Sequence, residues 1–339
     1  MTASDIPVVD VAPFLAGTPA GKRAVARAIG RACEEIGFFT IVGHGVDPGL
    51  VQRTSDLSRD FFDLPMAEKQ AIKRPAPEQN RGYNAIGQET LSYSIGEAAP
   101  PDIKEFLSIG PVDVPAGDAY YSCPASYPHF APNLWPAQPA ALRATWIAYF
   151  RALDALAGDL MRACALALEL PEQFFADKID RSISMMRVIN YPDQATEPLP
   201  GQLRATPHSD YGTLTILKSE NVPGGLQVKN RAGAWVDAVA EPDSFVVNLG
   251  DLMAVWTNDR WVSTLHRVVN PPRAPSGRGA LGSRRQSIVF FHQPNYDALI
   301  TCLDGCHGPG NPPRHPPVTS GEHRLQKFLK ASKLKQSAA

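Results

Sequence analysis

Beyond about residue 183 the apolar residues of this chain stop recurring every three or four positions and begin to alternate. The segments "ISMMRVINY", "TLTIL", "GLQV", "AWVDAV", "SFVVNLG", "STLHRVVN" and "RQSIVFFHQ" are short, rich in β-branched and aromatic residues, and separated by Gly, Pro and Asn turns. Successive side chains of a strand point to opposite faces, so a period of two marks a strand with one buried face. Many short strands at close spacing predict a sandwich or barrel. Helical patterns come first and strands later, which predicts an α+β fold whose helices pack on one face of the strand layer.

The helical half is well punctuated. In "TPAGKRAVARAIGRACEEIG", Thr18 is the cap, Pro19 opens the first turn, Val25, Ile29, Cys33 and Ile36 form a stripe, and Gly37 stops the helix. "FFTIVGHG" (38–45) reads as a buried strand. A second helix starts at Asp47 and Pro48, with Leu50, Thr54, Leu57 and Phe61 on one side. Prolines and glycines make 73–137 loop-rich. Residues 141–170 carry the stripe Leu142, Trp146, Phe150, Leu153, Leu160, Cys164 and Leu168, a long spine helix. With no linker or repeat, the 339 residues read as one domain: a mainly helical part at 1–180, a strand-rich core at 183–295, and a loop and helix at 296–339.

Charge narrows the partners. Lys plus Arg number 33 against 34 Asp plus Glu, so neither nucleic acid nor an anionic membrane is expected. The basic stretch "RLQKFLKASKLKQ" (324–336) reads as the solvated face of a terminal helix. The N-terminus has no basic start followed by an apolar core, and no apolar run approaches about 18 residues, so a cytoplasmic location is expected. Five scattered cysteines fit reduced thiols. Cys302, Cys306, His307 and His315 lie close together but in a Pro/Gly loop, at spacings unlike a closed zinc site.

The chemistry concentrates in three places. In "TPHSDYGTLTIL", His208 and Asp210 are two residues apart, so on one strand an imidazole and a carboxylate project the same way. His266 interrupts the otherwise apolar "STLHRVVN". Two histidines and a carboxylate leave coordination positions open, a set shared by zinc hydrolases and non-haem Fe(II) oxygenases. The H-E-x-x-H helix of many hydrolases is missing here. Arg285 and Ser287 are again two apart on a strand, and a planar fork beside a hydroxyl suits a carboxylate. In an apolar barrel each such charge-assisted bond contributes on the order of 1.5–3 kcal/mol.

Taken together, these motifs resemble the isopenicillin N synthase-like branch of the Fe(II)- and 2-oxoglutarate-dependent dioxygenases. The likeness runs through "IPVVDVAPF", "EEIGFFTIVGHGV", "RGY", "NLWP", "HSDYGTLTIL", "GGLQV", "NLGDLMAVWTNDRWVSTLHRVVNP" and "RQSIVFFHQPN". It implies a double-stranded β-helix (jelly-roll) core with flanking helices, and Fe(II) held by His208, Asp210 and His266. It also implies 2-oxoglutarate gripped at its far carboxylate by Arg285 and Ser287, with Tyr191 of "INYP" touching it. The family's common Asn-Tyr-Tyr-Pro is shortened here to Asn190-Tyr191-Pro192. The implied reaction consumes O2 and 2-oxoglutarate, releases succinate and CO2, and hydroxylates, desaturates or cyclises a small molecule. An oxidase of the isopenicillin N synthase type, which turns the arginine clamp on its own substrate, stays open, as does a non-catalytic binding module. His44 matches a position the family does not use for metal. By analogy, 81–107 and 292–312 form the mouth, with Tyr83, Phe106 and Phe290 as candidate wall residues.

Overall fold

The computed structural model describes residues 6–76, 78–127, 129–222, 224–272 and 282–333. Its strands are β1 (Val8–Asp10), β2 (Phe38–Val42), β3 (Gly82–Asn84), β4 (Glu105–Ile109), β5 (Met185–Tyr191), β6 (Ala205–His208), β7 (Leu214–Ser219), β8 (Leu226–Lys229), β9 (Trp235–Asp237), β10 (Phe245–Leu249), β11 (His266–Val268) and β12 (Arg285–His292), with a short hairpin beyond. Eight form a major sheet in the order β1-β2-β10-β7-β12-β5-β4-β3, and four form a minor sheet, β6-β11-β8-β9. All these pairings are antiparallel except that of β1 with β2. Connections that jump between the sheets make the expected jelly roll.

The period of two decides what lies on each side of the major sheet. On β12, Ile288 and Phe290 join the core cluster of the helices, whereas Val289 joins the cluster that includes Leu226, Val228 and Val268 of the minor sheet. The spine helix, Leu142–Ala167, buries Trp146, Phe150, Leu153 and Leu160, and its Phe150 ring meets Phe290 edge to face at 5.0 Å. Trp146 also donates to Ser58 Oγ at 3.0 Å, tying the spine to the helix Pro48–Phe62. The caps fall where expected. Thr18 Oγ1 accepts from Gly21 N at 3.1 Å, and Asp47 accepts from Gly49 N and Leu50 N at 2.9 and 3.1 Å.

Two expectations need correction. The span 73–137 is not merely loop: β4 lies inside the major sheet between β3 and β5, and every residue of it is buried. The prolines and glycines around it do not prevent a strand of only five residues, Glu105–Ile109. Glu105 is buried and paired with Lys69 at 3.0 Å, and it accepts from Asn190 at 2.8 Å. The basic tail is not simply a solvated face either. The helix Ser320–Lys333 packs on the turn Leu91–Ile95, with Arg324 buried.

Candidate metal centre

β6 and β11 are neighbours, and their register sets His208 opposite His266. Asp210 joins them from the stretch that follows β6. The sequence reading put His208 and Asp210 on one strand, but β6 ends at His208 and the chain bends between Tyr211 and Thr213 before β7. His208 and Asp210, two residues apart, still come together beside His266. The bend is anchored by Asp251 N donating to Asp210 O at 2.8 Å, and it presses on Gly250, where a Cβ would lie 2.3 Å from Gly212 O.

One ligand atom from each of His208, Asp210 and His266 lies within 4.8 Å of the others, the one such group of three among the described residues. Their outer atoms are all engaged. Nδ1 of His208 is 2.8 Å from Thr206 O and Nδ1 of His266 is 3.1 Å from Thr264 O. A carbonyl only accepts, so both Nδ1 atoms carry the proton and both Nε2 lone pairs face inward. Asp210 Oδ2 accepts from Thr215 Oγ1 at 2.6 Å and from Asn248 Nδ2 at 2.8 Å, which leaves Oδ1 facing His266 Nε2 at 3.8 Å.

Protonation follows from these surroundings. Burial drives His208 down to about 3, helped by His266 beside it. Burial alone would raise Asp210, but His266, His208 and the bonds from Asn248 and Thr215 outweigh it and hold the carboxyl below its usual range. Two inward lone pairs and one carboxylate oxygen, with no donor between them, fit a divalent cation. Two neutral nitrogens and one anionic oxygen leave a local charge of about +1 and open positions, the set used by non-haem Fe(II) oxygenases.

The cavity beside this group is lined by alternate residues of two adjacent strands: Met185, Arg187, Ile189 and Tyr191 of β5, and Arg285, Ser287, Val289 and Phe291 of β12. It holds about 1170 Å³ of space, counting its open mouth. Arg285 is 1% exposed. It donates to Ser287 Oγ at 2.9 Å, to Ser219 Oγ and to Glu220 O at 3.3 Å, and its guanidinium lies 5.2 Å from the Tyr191 ring centre. The Glu220 carboxylate is occupied by Arg59 and by Gln286 N at 2.8 Å, so Arg285 meets hydroxyls, a carbonyl and a ring but no bonded acid. Burial lowers its pKa, against the opposing pull of Tyr191 and Glu220.

Other expectations fare differently. Tyr83, Phe106 and Phe290 do not line this cavity. Tyr83 donates to Glu105 at 2.5 Å, Phe106 lies 3.8 Å beneath the Arg187 guanidinium, and Phe290 faces the helices. The neighbour that does reach the cavity is Phe291, one residue on and therefore on the opposite face. Of the proposed mouth, 81–107 contributes Arg187's partner Glu89, with Leu91 and Lys104, whereas 292–312 contributes Gln293; the C-terminal helix supplies Arg324 and Phe328 instead. His44 bonds locally, its Nε2 3.1 Å from Asp243 O and its Nδ1 accepting from Val46 N at 3.2 Å. His315 Nε2 pairs with Asp259 at 2.9 Å, and the Cys302–His315 region gathers no metal-binding group of three among the described residues. Asn248, Thr215 and Ser219 went unnoticed in the sequence, although each is a polar residue in a buried strand position, the signal that was available.

Residues 6–138 match the family model described as the non-haem dioxygenase in morphine synthesis N-terminal region, and residues 183–294 match the 2OG-Fe(II) oxygenase superfamily. A 2-oxoglutarate-Fe(II) type oxidoreductase, hxnY, of Emericella nidulans is 35% identical over 319 residues, 92% of this chain and 86% of that protein. A homoarginine-6-hydroxylase of Oryza sativa subsp. japonica is 30% identical over 338 residues, covering 96% of each chain. The crystal structure of a full-length Neurospora crassa protein in complex with alpha-KG superposes with a TM-score of 0.82 at 32% identity, covering 96% of both chains, and the same protein is also known with thymine bound. From the inward-facing His-Asp-His group to agreement along almost its whole length, the chain belongs to the 2OG-Fe(II) oxygenase superfamily and is an Fe(II)- and 2-oxoglutarate-dependent dioxygenase.

Proposed function

We propose that His208, Asp210 and His266 are the iron ligands of this enzyme, that Arg285, Ser287 and Tyr191 hold the far carboxylate of 2-oxoglutarate, and that a small organic molecule is oxidised in the rest of the cavity. The carrying observation is the inward pair of Nε2 lone pairs beside Asp210 Oδ1, in the same cavity as an arginine with no acid bonded to it. Ferrous iron, when bound, supplies the O2-activating chemistry that couples loss of CO2 from 2-oxoglutarate to oxidation of the second substrate.

The protein's own part is placement. The carbonyls of Thr206 and Thr264 fix the imidazole rings, and Thr215 with Asn248 fixes the carboxylate. Arg285 and Ser287 present two donors to one carboxylate, and Tyr191 covers the guanidinium. Ile189, Leu217 and Val289 wall the site with hydrocarbon, which keeps water from the reacting atoms. The reading includes a single domain over 1–339, a reducing cytoplasmic setting that five free cysteines fit, and, from the near balance of 33 basic and 34 acidic residues, no nucleic-acid or membrane partner. No helix among the described residues is long and apolar enough to cross a membrane.

The test is succinate release from 2-oxoglutarate in air with Fe(II), compared with Zn(II). Iron-dependent succinate supports the reading. Activity with Zn(II) alone, or iron-dependent oxygen uptake that ignores 2-oxoglutarate, refutes it.

A further inference from the structure

Besides Arg285, the cavity is lined by three cations, Lys104, Arg187 and Arg324. Two of them are fully engaged. Lys104 lies 2.9 Å from Asp102 and 2.9 Å from Glu89. Arg187 reaches Glu89 at 3.2 Å, Asn80 at 2.9 Å and Ser108 at 3.1 Å, so its whole fork is used.

Arg324 differs. It is 7% exposed, yet its bonded partner is the His129 ring, to whose Nδ1 it donates at 2.9 Å, and no carboxylate among the described residues lies within ion-pair distance of it. A guanidinium carries five N–H donors. His129 offers no charge, because burial and the flanking Arg324 and Arg81 drive it down to about 3. The neighbouring Arg81 adds a second buried cation, with its donors spent on the carbonyls of Asn80, His129 and Ala131. A buried charge without a counterion is strongly unfavourable unless a ligand completes it.

The co-substrate has its own receptor in Arg285, so Arg324 is left for the second ligand. Phe328, one helical turn on, lines the same cavity, as do Leu91 and Phe291. An apolar body with one anionic end matches these walls.

Resting on the reading given under Proposed function, we propose that Arg324 is a specificity-determining residue that binds a carboxylate of the prime substrate, and that this enzyme oxidises small carboxylic acids with an apolar body. The experiment uses full-length protein loaded with Fe(II) and 2-oxoglutarate and a panel of aromatic and heteroaromatic monocarboxylates, each matched with its neutral carboxamide, with thymine as a further neutral probe. Affinity is read from anaerobic thermal shift and turnover from succinate release above the substrate-free rate. At least one carboxylate is expected to bind on the order of tenfold or more tightly than its carboxamide, as one charge-assisted bond pair provides. In Arg324→Gln that ratio collapses toward one, and Arg324→Lys retains part of it. The ratio within one variant is insensitive to the fraction folded. If no pair separates, including the case in which neither member binds, if thymine outcompetes every carboxylate, or if Arg324→Gln keeps the ratio, the proposal is wrong. Failure of the underlying reading shows itself separately, as wild-type protein that forms no iron-dependent succinate at all.

Discussion

Replacing Arg285 with lysine keeps the charge but removes the fork. Arg285 donates through Nη1 to Ser287, through Nη2 to Ser219 and through Nε to Glu220 O, a set of anchors that fixes the guanidinium plane under Tyr191. A lysine ammonium has one nitrogen, cannot lie flat against the ring, and reaches a carboxylate as a point charge. At least one charge-assisted bond to 2-oxoglutarate is lost, on the order of 1.5–3 kcal/mol. At about 1.4 kcal/mol per factor of ten, this corresponds to a rise of roughly 10- to 150-fold in the 2-oxoglutarate concentration required. The assay is succinate formation at saturating Fe(II) across a range of 2-oxoglutarate, with kcat and KM separated. The loss should fall mainly on KM, because the clamp binds a carboxylate remote from the reacting carbon. A KM within twofold of wild type would show that Arg285 does not hold the co-substrate.

Two further perturbations act elsewhere. Thr215→Val removes one of the two donors to Asp210 Oδ2 while preserving strand shape, and anaerobic Fe(II) titration should show affinity falling by about tenfold; unchanged affinity would mean that Asn248 orients the carboxylate alone. Asp154, in the spine helix, is raised to about 6 by burial and by Asp113. A carboxyl whose folded pKa exceeds its unfolded value of about 4 costs nothing while protonated in both states, and its penalty grows as pH rises through the interval between them. Asp154→Asn should therefore stabilise the apoprotein by about 2–3 kcal/mol at pH 7 and by little near pH 4, as urea unfolding at the two pH values would reveal; a gain independent of pH would point to a cause other than ionisation.

Much of the site was legible because its chemistry rests on local spacing. Arg285 and Ser287 fall on the same side of β12 as a period of two demands, and the same alternation carries Val289 and Phe291 into the cavity. His266 stood out as a polar residue in an apolar strand. What escaped reading depends on contacts remote in sequence. Glu105 is buried only because Lys69, Tyr83 and Asn190, remote in sequence, close around it. Phe290 and Phe291 look alike in sequence, and only the register decides which of them meets the spine helix. Arg324 belonged to a basic terminal helix, and nothing local says that such a helix folds back over the turn Leu91–Ile95. The bend after β6 was hidden too, since the alternation of "TLTIL" invited the strand to be extended backward through Asp210.

His208 and His266, set opposite each other by the β6–β11 register, and Asp210, two residues on from His208, are proposed to grip a single ferrous ion. Equilibrium Fe(II) binding under anaerobic conditions, on wild-type protein and on Asp210→Ala and His266→Ala, tests this most directly. The expected result is one tightly held ion per wild-type chain and none held tightly by either variant, with both variants still folded by circular dichroism. An ion retained by both variants at wild-type affinity would place the iron elsewhere and contradict the account.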